Sequence, residues 1–241
     1  MAPLSFSLWP RVKNVDSAIM TAEYTVSQSD NENVLQVQAI ACIRSDRMLF
    51  QSLNFTVSAG QVVLVEGRNG TGKTSLLRIL CGIRRPDEGD VLWQGESIES
   101  LGGSYHGQLA YLGHMDGIKR ELSAEENLQI ARALGRPGRL GIDEALLRVD
   151  LDEVEDIPVN HFSAGMRRRL ALARLLVTDS RLWVLDEPFT SLDVHGIALV
   201  EALIAEHVAN GGMVVMTSHH QVSLPGIKVV RVNLSEDEVC Q

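Results

Sequence analysis

The segment Gly67-Arg-Asn-Gly-Thr-Gly-Lys73-Thr74 has the composition and spacing of a loop that can hold a polyphosphate. Its glycines allow backbone N–H groups to turn toward phosphate oxygens without a Cβ in the way. Lys73 would place a cation on the β- and γ-phosphates, and Thr74 would offer its hydroxyl to Mg²⁺. The pattern predicts a phosphate loop between a strand and a helix, whose N-terminus adds its dipole. The residues expected to contact ATP here are Gly67, Arg68, Asn69, Gly70, Thr71, Gly72, Lys73, Thr74 and Ser75.

A second candidate element is the apolar run Arg181-Leu-Trp-Val-Leu-Asp186-Glu187, which ends in two carboxylates. A buried strand would deliver Asp186 to the carboxyl edge of a sheet, where a phosphate-bound metal must lie. Glu187 follows immediately and can polarise a water molecule. Such a strand alone is often only a surface turn, but with a phosphate loop upstream it indicates ATP hydrolysis.

A third candidate element is Phe162-Ser-Ala-Gly-Met166, directly before a predicted helix. Ser163 is a suitable N-cap, and Ala164 and Gly165 leave the backbone open to a ligand. A helix start of this kind can bind a second anion. The alternative is an ordinary capped helix.

The elements that must position these residues alternate between strands and helices, which predicts an α/β fold with a mainly parallel sheet. Ser123 and Glu126 form a predicted capping box, and Asp143 is predicted to cap a second short helix. Strands are expected at Gln61–Glu66, Leu182–Leu185 and Met213–Thr217, and helices at Thr74–Cys81, from Ala124 to Gly135, from Ser163 and from about Val194 to Ala209.

Bulk properties limit the partners and the compartment. Residues 1–33 are polar and aperiodic, so we expect a mostly disordered tail, or upstream sequence from a start placed too early. The net charge of −9 argues against nucleic acid as a partner. Three scattered cysteines and a start unlike a secretory signal favour the cytoplasm. Because no apolar run reaches membrane-spanning length, any membrane would be reached through a partner.

The motifs occur in the order phosphate loop, Ser163-Ala-Gly165, Asp186-Glu187, Ser191-Leu-Asp193 and a later strand ending in His219. This order resembles the ATPases of ABC transporters. The resemblance implies a P-loop NTPase core over residues 34–234, a small helical subdomain at about residues 113–165 and a C-terminal tail at 235–241. It also implies a head-to-tail dimer, in which each ATP lies between one phosphate loop and the other copy's Ser163 and Gly165.

The same resemblance assigns roles to single residues. Lys73 and Thr74 would bind phosphate and Mg²⁺, and Asp186 would hold the metal. Glu187 would be the catalytic base, His219 would contact the γ-phosphate, and Asp193 would lie in the loop that communicates between the copies.

Longer segments resemble the ATP-binding subunits of bacterial heme exporters that serve c-type cytochrome maturation. These are Val91-Leu-Trp-Gln-Gly95, Tyr111-Leu-Gly-His114, Gly117-Ile-Lys119, Glu155-Asp-Ile-Pro-Val-Asn160 and Leu185-Asp-Glu-Pro-Phe-Thr190. The resemblance implies integral membrane subunits of the exporter as partners, at the cytoplasmic face of the inner membrane. An ABC ATPase for another small substrate, or a soluble ABC-type regulatory switch, remains the alternative.

Three positions depart from the usual ABC pattern. His114 stands where a glutamine usually contacts Mg²⁺, and Arg44 stands where an aromatic residue usually stacks on adenine. Arginine can stack through its guanidinium plane, so selectivity for adenine is an open question. Ala164 and Met166 replace the commoner Gly and Gln, while Ser163 and Gly165 are kept.

Two remaining features are interpreted without a functional role. The run Arg167-Arg-Arg169 is expected to be the solvated side of a helix, with a binding patch as the alternative. Several histidines share no motif spacing and are expected to be surface or internally satisfied residues: His106, His161, His195, His207 and His220.

Overall fold

The computed structural model describes residues 34–234, so the predicted tails at 1–33 and 235–241 lie outside the described residues. The strands, in chain order, are β1 (Val34–Arg44), β2 (Arg47–Ser58), β3 (Gln61–Glu66), β4 (Glu88–Trp93), β5 (Glu96–Ser97), β6 (Leu109–Leu112), β7 (Leu182–Asp186), β8 (Met213–Thr217) and β9 (Lys228–Asn233). The α-helices are α1 (Lys73–Leu80), α2 (Ile98–Leu101), α3 (Gly103–His106), α4 (Ala124–Leu134), α5 (Ile142–Arg148), α6 (Ala164–Leu176) and α7 (Val194–Ala209).

Five strands form a parallel sheet in the order β6-β7-β8-β3-β9. Its central strands are near-continuous apolar runs because both faces of the sheet are covered. Val63, Val184 and Val215 face the buried side of α1, whereas Leu64 and Met216 face α6 and α7. The predicted mainly parallel α/β fold is therefore confirmed.

Strands β1, β2, β4 and β5 form a separate antiparallel sheet in the order β2-β1-β4-β5. Its apolar face shares the cluster that also covers α1, through residues such as Leu35, Phe50 and Trp93. Arg44 pairs with Arg47 at the β1–β2 hairpin, and the two turn residues between them both have positive φ. This geometry is the two-residue turn that matches the twist of an antiparallel pair.

The helices α4, α5 and α6 share a third apolar cluster that contains Leu128, Leu146 and Leu170. The capping box at Ser123 and Glu126 is confirmed, since each side chain accepts from the other residue's backbone N–H. The predicted cap at Asp143 is wrong. Gly141 precedes α5 and Asp143 lies in its first turn, where a carboxylate favours the helix dipole without accepting the cap bond.

The remaining strand and helix predictions agree with the structure within one residue at each end. The apolar cluster of the helical region includes residues of α6 and extends to Val177. The predicted C-terminal boundary of the helical subdomain at about residue 165 stays a prediction. Among residues 34–234, none of the helices is both long and apolar enough to cross a membrane.

Candidate nucleotide-binding site

The phosphate loop, the end of β7 and the segment after β8 meet around one cavity of about 620 Å³. They meet because β3, β7 and β8 are neighbouring parallel strands, whose carboxyl ends share one sheet edge. The lining residues are Arg44, Leu49, Asn69, Gly70, Gly72, Lys73, Thr74, Ser75, His114, Asp186, Glu187, Phe189, Thr190, Ile197, His219 and His220.

The phosphate loop depends on two glycines at the start of α1. Gly70 and Gly72 have φ of 86° and 104°, values that other residues rarely adopt. A Cβ at Gly72 would lie 3.0 Å from the Cβ of Leu49 on β2. No side chain caps α1, so no side chain competes with a phosphate for the N–H groups of its first turn.

The Lys73 ammonium lies over the loop that precedes it. Its Nζ donates to the carbonyl oxygens of Gly67, at 2.7 Å, and Arg68, at 3.3 Å. The side chain of Thr71 also donates to the Arg68 carbonyl, at 3.0 Å, which closes the loop on itself. A cation is thus positioned at the cavity wall before any phosphate arrives.

Asp186 is 3% exposed and its two carboxylate oxygens have different partners. Oδ2 accepts from the Thr74 hydroxyl at 2.9 Å, and Oδ1 accepts from the Thr217 hydroxyl at 2.8 Å. Magnesium usually takes one or two protein oxygens and completes its shell with phosphate and water. The adjacent Thr74 and Asp186 oxygens therefore fit a magnesium site beside a bound phosphate.

Glu187 has a positive φ of 50°, and only one of its two carboxylate oxygens accepts a hydrogen bond. Oε2 accepts from the backbone N–H of His219 at 3.0 Å. Oε1 is buried and accepts no hydrogen bond from the described residues, although His219 Nε2 lies 3.4 Å away. Glu187 lines the same cavity as Lys73, and a carboxylate oxygen that accepts no hydrogen bond can take a proton from a water molecule that reaches it.

The structure also places His114 and Arg44 on this cavity, but not Ser163, Gly165 or Asp193. The Ser163 hydroxyl instead accepts from Met166 N–H at the start of α6. Asp193 caps α7 by accepting from Gly196 N–H, and this hydrogen bond lowers the pKa of the Asp193 carboxyl. Three further predicted residues, Gly67, Arg68 and Thr71, belong to the phosphate loop but do not line the cavity.

Several functional neighbours were missed by the sequence reasoning. Thr217 pairs with Asp186 across the parallel strands, and the strand ends could have suggested that contact. His220, expected to be a surface or satisfied residue, lies on the cavity wall with its ring 5.4 Å from that of Phe189. Phe189 and Thr190 also line the cavity, and the segment Leu185-Asp-Glu-Pro-Phe-Thr190 that contains them could have suggested this, whereas Leu49 and Ile197 belong to none of the motifs.

The expected solvated arginine run is wrong, because Arg168 is 3% exposed. Burial lowers the pKa of its guanidinium, and the nearby Asp116 carboxylate opposes that shift. A sequence signal existed: Arg168 precedes the buried Leu172 and Leu175 by four and seven residues, which is one face of a helix. The Arg169 side chain is not freely solvated either, since it forms an ion pair with Asp150 at 2.6 Å.

Comparison with known proteins agrees with this geometry. Residues 50–190, more than half of the chain, match the ABC transporter family model. The chain is 52% identical over 196 residues to the "Cytochrome c biogenesis ATP-binding export protein CcmA" of Methylococcus capsulatus, covering 80% of this chain and 94% of the relative. Identity to the protein of the same name from Nitrosococcus oceani is 47%, over 83% and 92% of the two chains. A solved "Putative ABC transporter (ATP-binding protein)" from Pyrococcus furiosus superposes with a TM-score of 0.72 at 25% identity, over 83% of this chain and 97% of that one.

Proposed function

The chain belongs to the ABC transporter family and is an ATPase, and from that premise we propose that it powers an export complex for c-type cytochrome biogenesis. The observation that carries the proposal is the single cavity on which Lys73, Thr74, Asp186 and Glu187 converge. A general base, a cation and oxygen ligands at one sheet edge are the groups that transfer of a phosphoryl group to water requires.

In the proposed reaction, the oxygen of a water molecule attacks the γ-phosphorus of ATP as the bond to the β–γ bridging oxygen breaks. Glu187 Oε1 accepts the proton from that water and later returns it to solvent. Lys73 exchanges its contacts with the loop carbonyls for the β- and γ-phosphate oxygens, and His219 contacts the γ-phosphate. The products are ADP and inorganic phosphate.

Thr74 and Asp186 would hold Mg²⁺, which neutralises the charge of the phosphates when it is bound. The Thr217 hydroxyl, which donates to Asp186 Oδ1, keeps the carboxylate oriented so that Oδ2 stays beside Thr74.

A second copy of the chain is the proposed partner at the nucleotide. Ser163, Gly165 and Asp193 lie outside the cavity of their own chain, so they complete a site only if they belong to another copy. Ser163 and Gly165 at the start of α6 would then contact the γ-phosphate from the opposite side, as a helix N-terminus can. Two identical sites would form in a symmetric dimer.

The proposed cargo and partners come from the relatives. The two compared relatives are named for cytochrome c biogenesis and export, and heme is the group that c-type cytochromes must receive. Integral membrane subunits of a heme exporter would hold this chain at the cytoplasmic face of the bacterial inner membrane. ATP turnover would drive either heme transport or release of a heme-loaded chaperone, and the net charge of −9 disfavours a nucleic-acid partner.

The experiment that tests the proposal uses Glu187→Gln, which keeps the shape of the side chain and removes the base. We expect ATP binding without turnover and a dimer that elutes as such in gel filtration with MgATP. Wild-type chain should co-purify with membrane subunits and support ATP-dependent heme transfer to apocytochrome. A Glu187→Gln monomer that still hydrolyses ATP would contradict both the base and the dimer, and ATP-independent heme transfer would contradict the export role.

A further inference from the structure

Arg168, on the buried side of α6, satisfies every N–H of its guanidinium. Nε donates to Pro188 O at 3.2 Å, and Nη2 donates to Asp186 O at 3.0 Å and Glu187 O at 2.7 Å. Nη1 donates to Gly113 O at 3.0 Å and to Asp116 Oδ1 at 3.2 Å. An arginine has five N–H donors, and here each of the five has its own acceptor.

Three of these acceptors are consecutive carbonyl oxygens of the turn that carries Glu187. That turn is held at a left-handed φ of 50°, a conformation that costs free energy for a residue other than glycine. The carbonyls of a tight turn buried beside a strand end must find partners, and Arg168 donates to all three, while the Thr190 N–H also donates to the Glu187 carbonyl at 3.2 Å. The guanidinium therefore fixes the backbone from which the Glu187 carboxylate reaches the cavity.

The other two acceptors lie on the segment from Gly113 to Asp116. This segment contains His114, which lines the nucleotide cavity, and Met115, whose side chain is 85% exposed. A single planar group thus binds the segment with two N–H groups and the Glu187 turn with three. A shift of one of these backbones changes the hydrogen bonds of the other.

We propose that Arg168 is a positioning residue that holds the Glu187 carboxylate in its reactive orientation and makes that orientation depend on the position of residues 113–116. The inference rests on the proposed role of Glu187 as the base. It concerns a residue outside the cavity that touches neither nucleotide nor metal. Its effect is on the rate of the chemical step and not on the affinity for ATP.

Only arginine matches this set of acceptors. Lysine keeps the charge but has three N–H groups on one atom, and methionine fills a similar volume with no donor. We expect Arg168→Met to lower kcat by about 10- to 100-fold, because small displacements of a reacting group cost rates of that order. The KM for ATP should change by less than about threefold. The kcat of Arg168→Lys should lie between those of the wild type and Arg168→Met.

Arg174 offers a matched control on the same helix. It is also an arginine whose pKa is lowered by burial, and its Nη1 donates to Asp116 O at 3.0 Å and Gly117 O at 2.9 Å. It therefore holds the same segment without a hydrogen bond to residues 186–188. We expect Arg174→Met to change kcat by less than about threefold at a comparable loss of melting temperature.

The decisive measurement is a double-mutant cycle on the full chain, with single-turnover hydrolysis of MgATP as the readout. If Arg168 acts through Glu187, then Arg168→Met should add no further loss in a Glu187→Asp background, in which the carboxylate is kept but already displaced, so that slow hydrolysis can still be measured. Equal losses from Arg168→Met and Arg174→Met, or a full additional loss in the Asp background, would show a general structural role and overturn the inference. Turnover retained by Glu187→Gln would instead contradict the proposed base itself.

The dependence on residues 113–116 has its own readout. Asp116→Ala removes one acceptor of Arg168, so we expect kcat to fall about threefold to tenfold, and this loss should vanish in the Arg168→Met background. A loss that is the same in both backgrounds would show that Asp116 acts by another route, and the link between the two segments would then be wrong.

Discussion

Two helix starts in this chain have similar sequences of small residues but different surroundings. α1 follows Gly72, has no side-chain cap and begins at the wall of the nucleotide cavity. α6 follows Ser163, whose hydroxyl accepts from Met166 N–H, and its first residues lie on the surface away from that cavity. A helix N-terminus becomes part of a phosphate site only where neighbouring elements bring other charged groups beside it.

The neighbours explain the difference. α1 lies between the two sheets, with Leu76, Leu77 and Leu80 fully buried, so its first turn is held against the ends of β3 and β7. α6 belongs to the helical cluster, and its fixed contact with the site is made by Arg168 in the second turn. The phosphate-loop half of the proposed site, with Lys73, Thr74, Asp186 and Glu187, thus lies within one chain, whereas in the proposed dimer the Ser163 half would come from a second copy.

The largest expected effect comes from a substitution in the phosphate-loop half of the site. Lys73→Ala should lower ATP turnover by about 10³-fold, since the Lys73 ammonium lies over the phosphate loop and removal of a single preorganised donor costs of that order. The measurement is phosphate release at saturating MgATP. Lys73→Arg serves as the control that keeps the charge, and near-normal hydrolysis by Lys73→Ala would contradict the phosphate-loop role.

The next prediction tests whether the two halves of one site belong to different copies. Ser163→Asp keeps a good helix cap but places a negative charge where a phosphate would bind, so turnover should fall about 10²-fold without loss of helix stability. Mixing inactive Ser163→Asp and inactive Lys73→Ala chains should restore about a quarter of the wild-type rate. Half of the dimers are then mixed, and each mixed dimer holds one intact site.

Phosphate release after co-refolding or subunit exchange checks this recovery. The control is a mixture of Lys73→Ala with Glu187→Gln, because both changes affect the same half and a mixed dimer then has no intact site. Activity should therefore stay absent in the control. Recovery in the control, or none in the test mixture, would show that each site is built within one chain.

The phosphate-loop half was also the half that the sequence could predict. Strand β8 and helix α7 have the predicted bounds, because each is marked by local signals: a buried apolar run in one, a cap at Asp193 and a turn after Ala209 in the other. The Lys73 and Asp186 motifs are short and contiguous, and parallel strand order then brings them together.

The contacts that the sequence could not supply are those made between elements distant in the chain. Arg168 was expected at the surface because its two neighbours are also arginines, yet its five acceptors come from residues 113–116 and 186–188. A buried cation of this kind is stable only when every donor is satisfied, and that depends on tertiary structure. The Asp143 cap failed for a smaller reason, since a short helix can begin at any of several neighbouring residues, here Gly141 to Asp143, and only the backbone decides between them.

A smaller effect is expected at His114, which lines both the nucleotide cavity and a neighbouring cavity that contains Ala164 and Arg168. Neutral histidine offers one acceptor nitrogen and one donor, and glutamine offers an equivalent pair. His114→Gln should therefore keep ATPase activity within about twofold of wild type.

His114→Ala loses both groups, so we expect heme-loaded cytochrome yield in cells to fall more than the ATPase rate of the purified complex. These two readouts are measured on the same variants, with His114→Gln as the control. Normal cytochrome assembly by His114→Ala would show that His114 is a passive packing residue, and that the phosphate-loop half is not coupled through this position.

The smallest expected effect concerns recognition of the base of the nucleotide. The cavity offers fewer contacts to the base than to the phosphates. Arg44 lies exposed at the end of β1, beside the hairpin turn, and Leu49 is its aliphatic neighbour on the cavity wall. A guanidinium plane and an aliphatic side chain can cover any purine, because neither reads the hydrogen-bonding edge of the base. Stacking of this kind is worth about 1 kcal/mol, which corresponds to about fivefold in affinity.

We therefore expect GTP to compete with ATP within about tenfold, and Arg44→Ala to weaken the binding of both nucleotides by a similar factor of about five. Arg44→Tyr should strengthen both, since an aromatic ring stacks on either base. Competition binding with a fluorescent ATP analogue measures all three chains. A thousandfold preference for ATP, or a loss of affinity on Arg44→Ala confined to one nucleotide, would show that another residue recognises the base. The cavity would then contain specific contacts for adenine as well as for the phosphates.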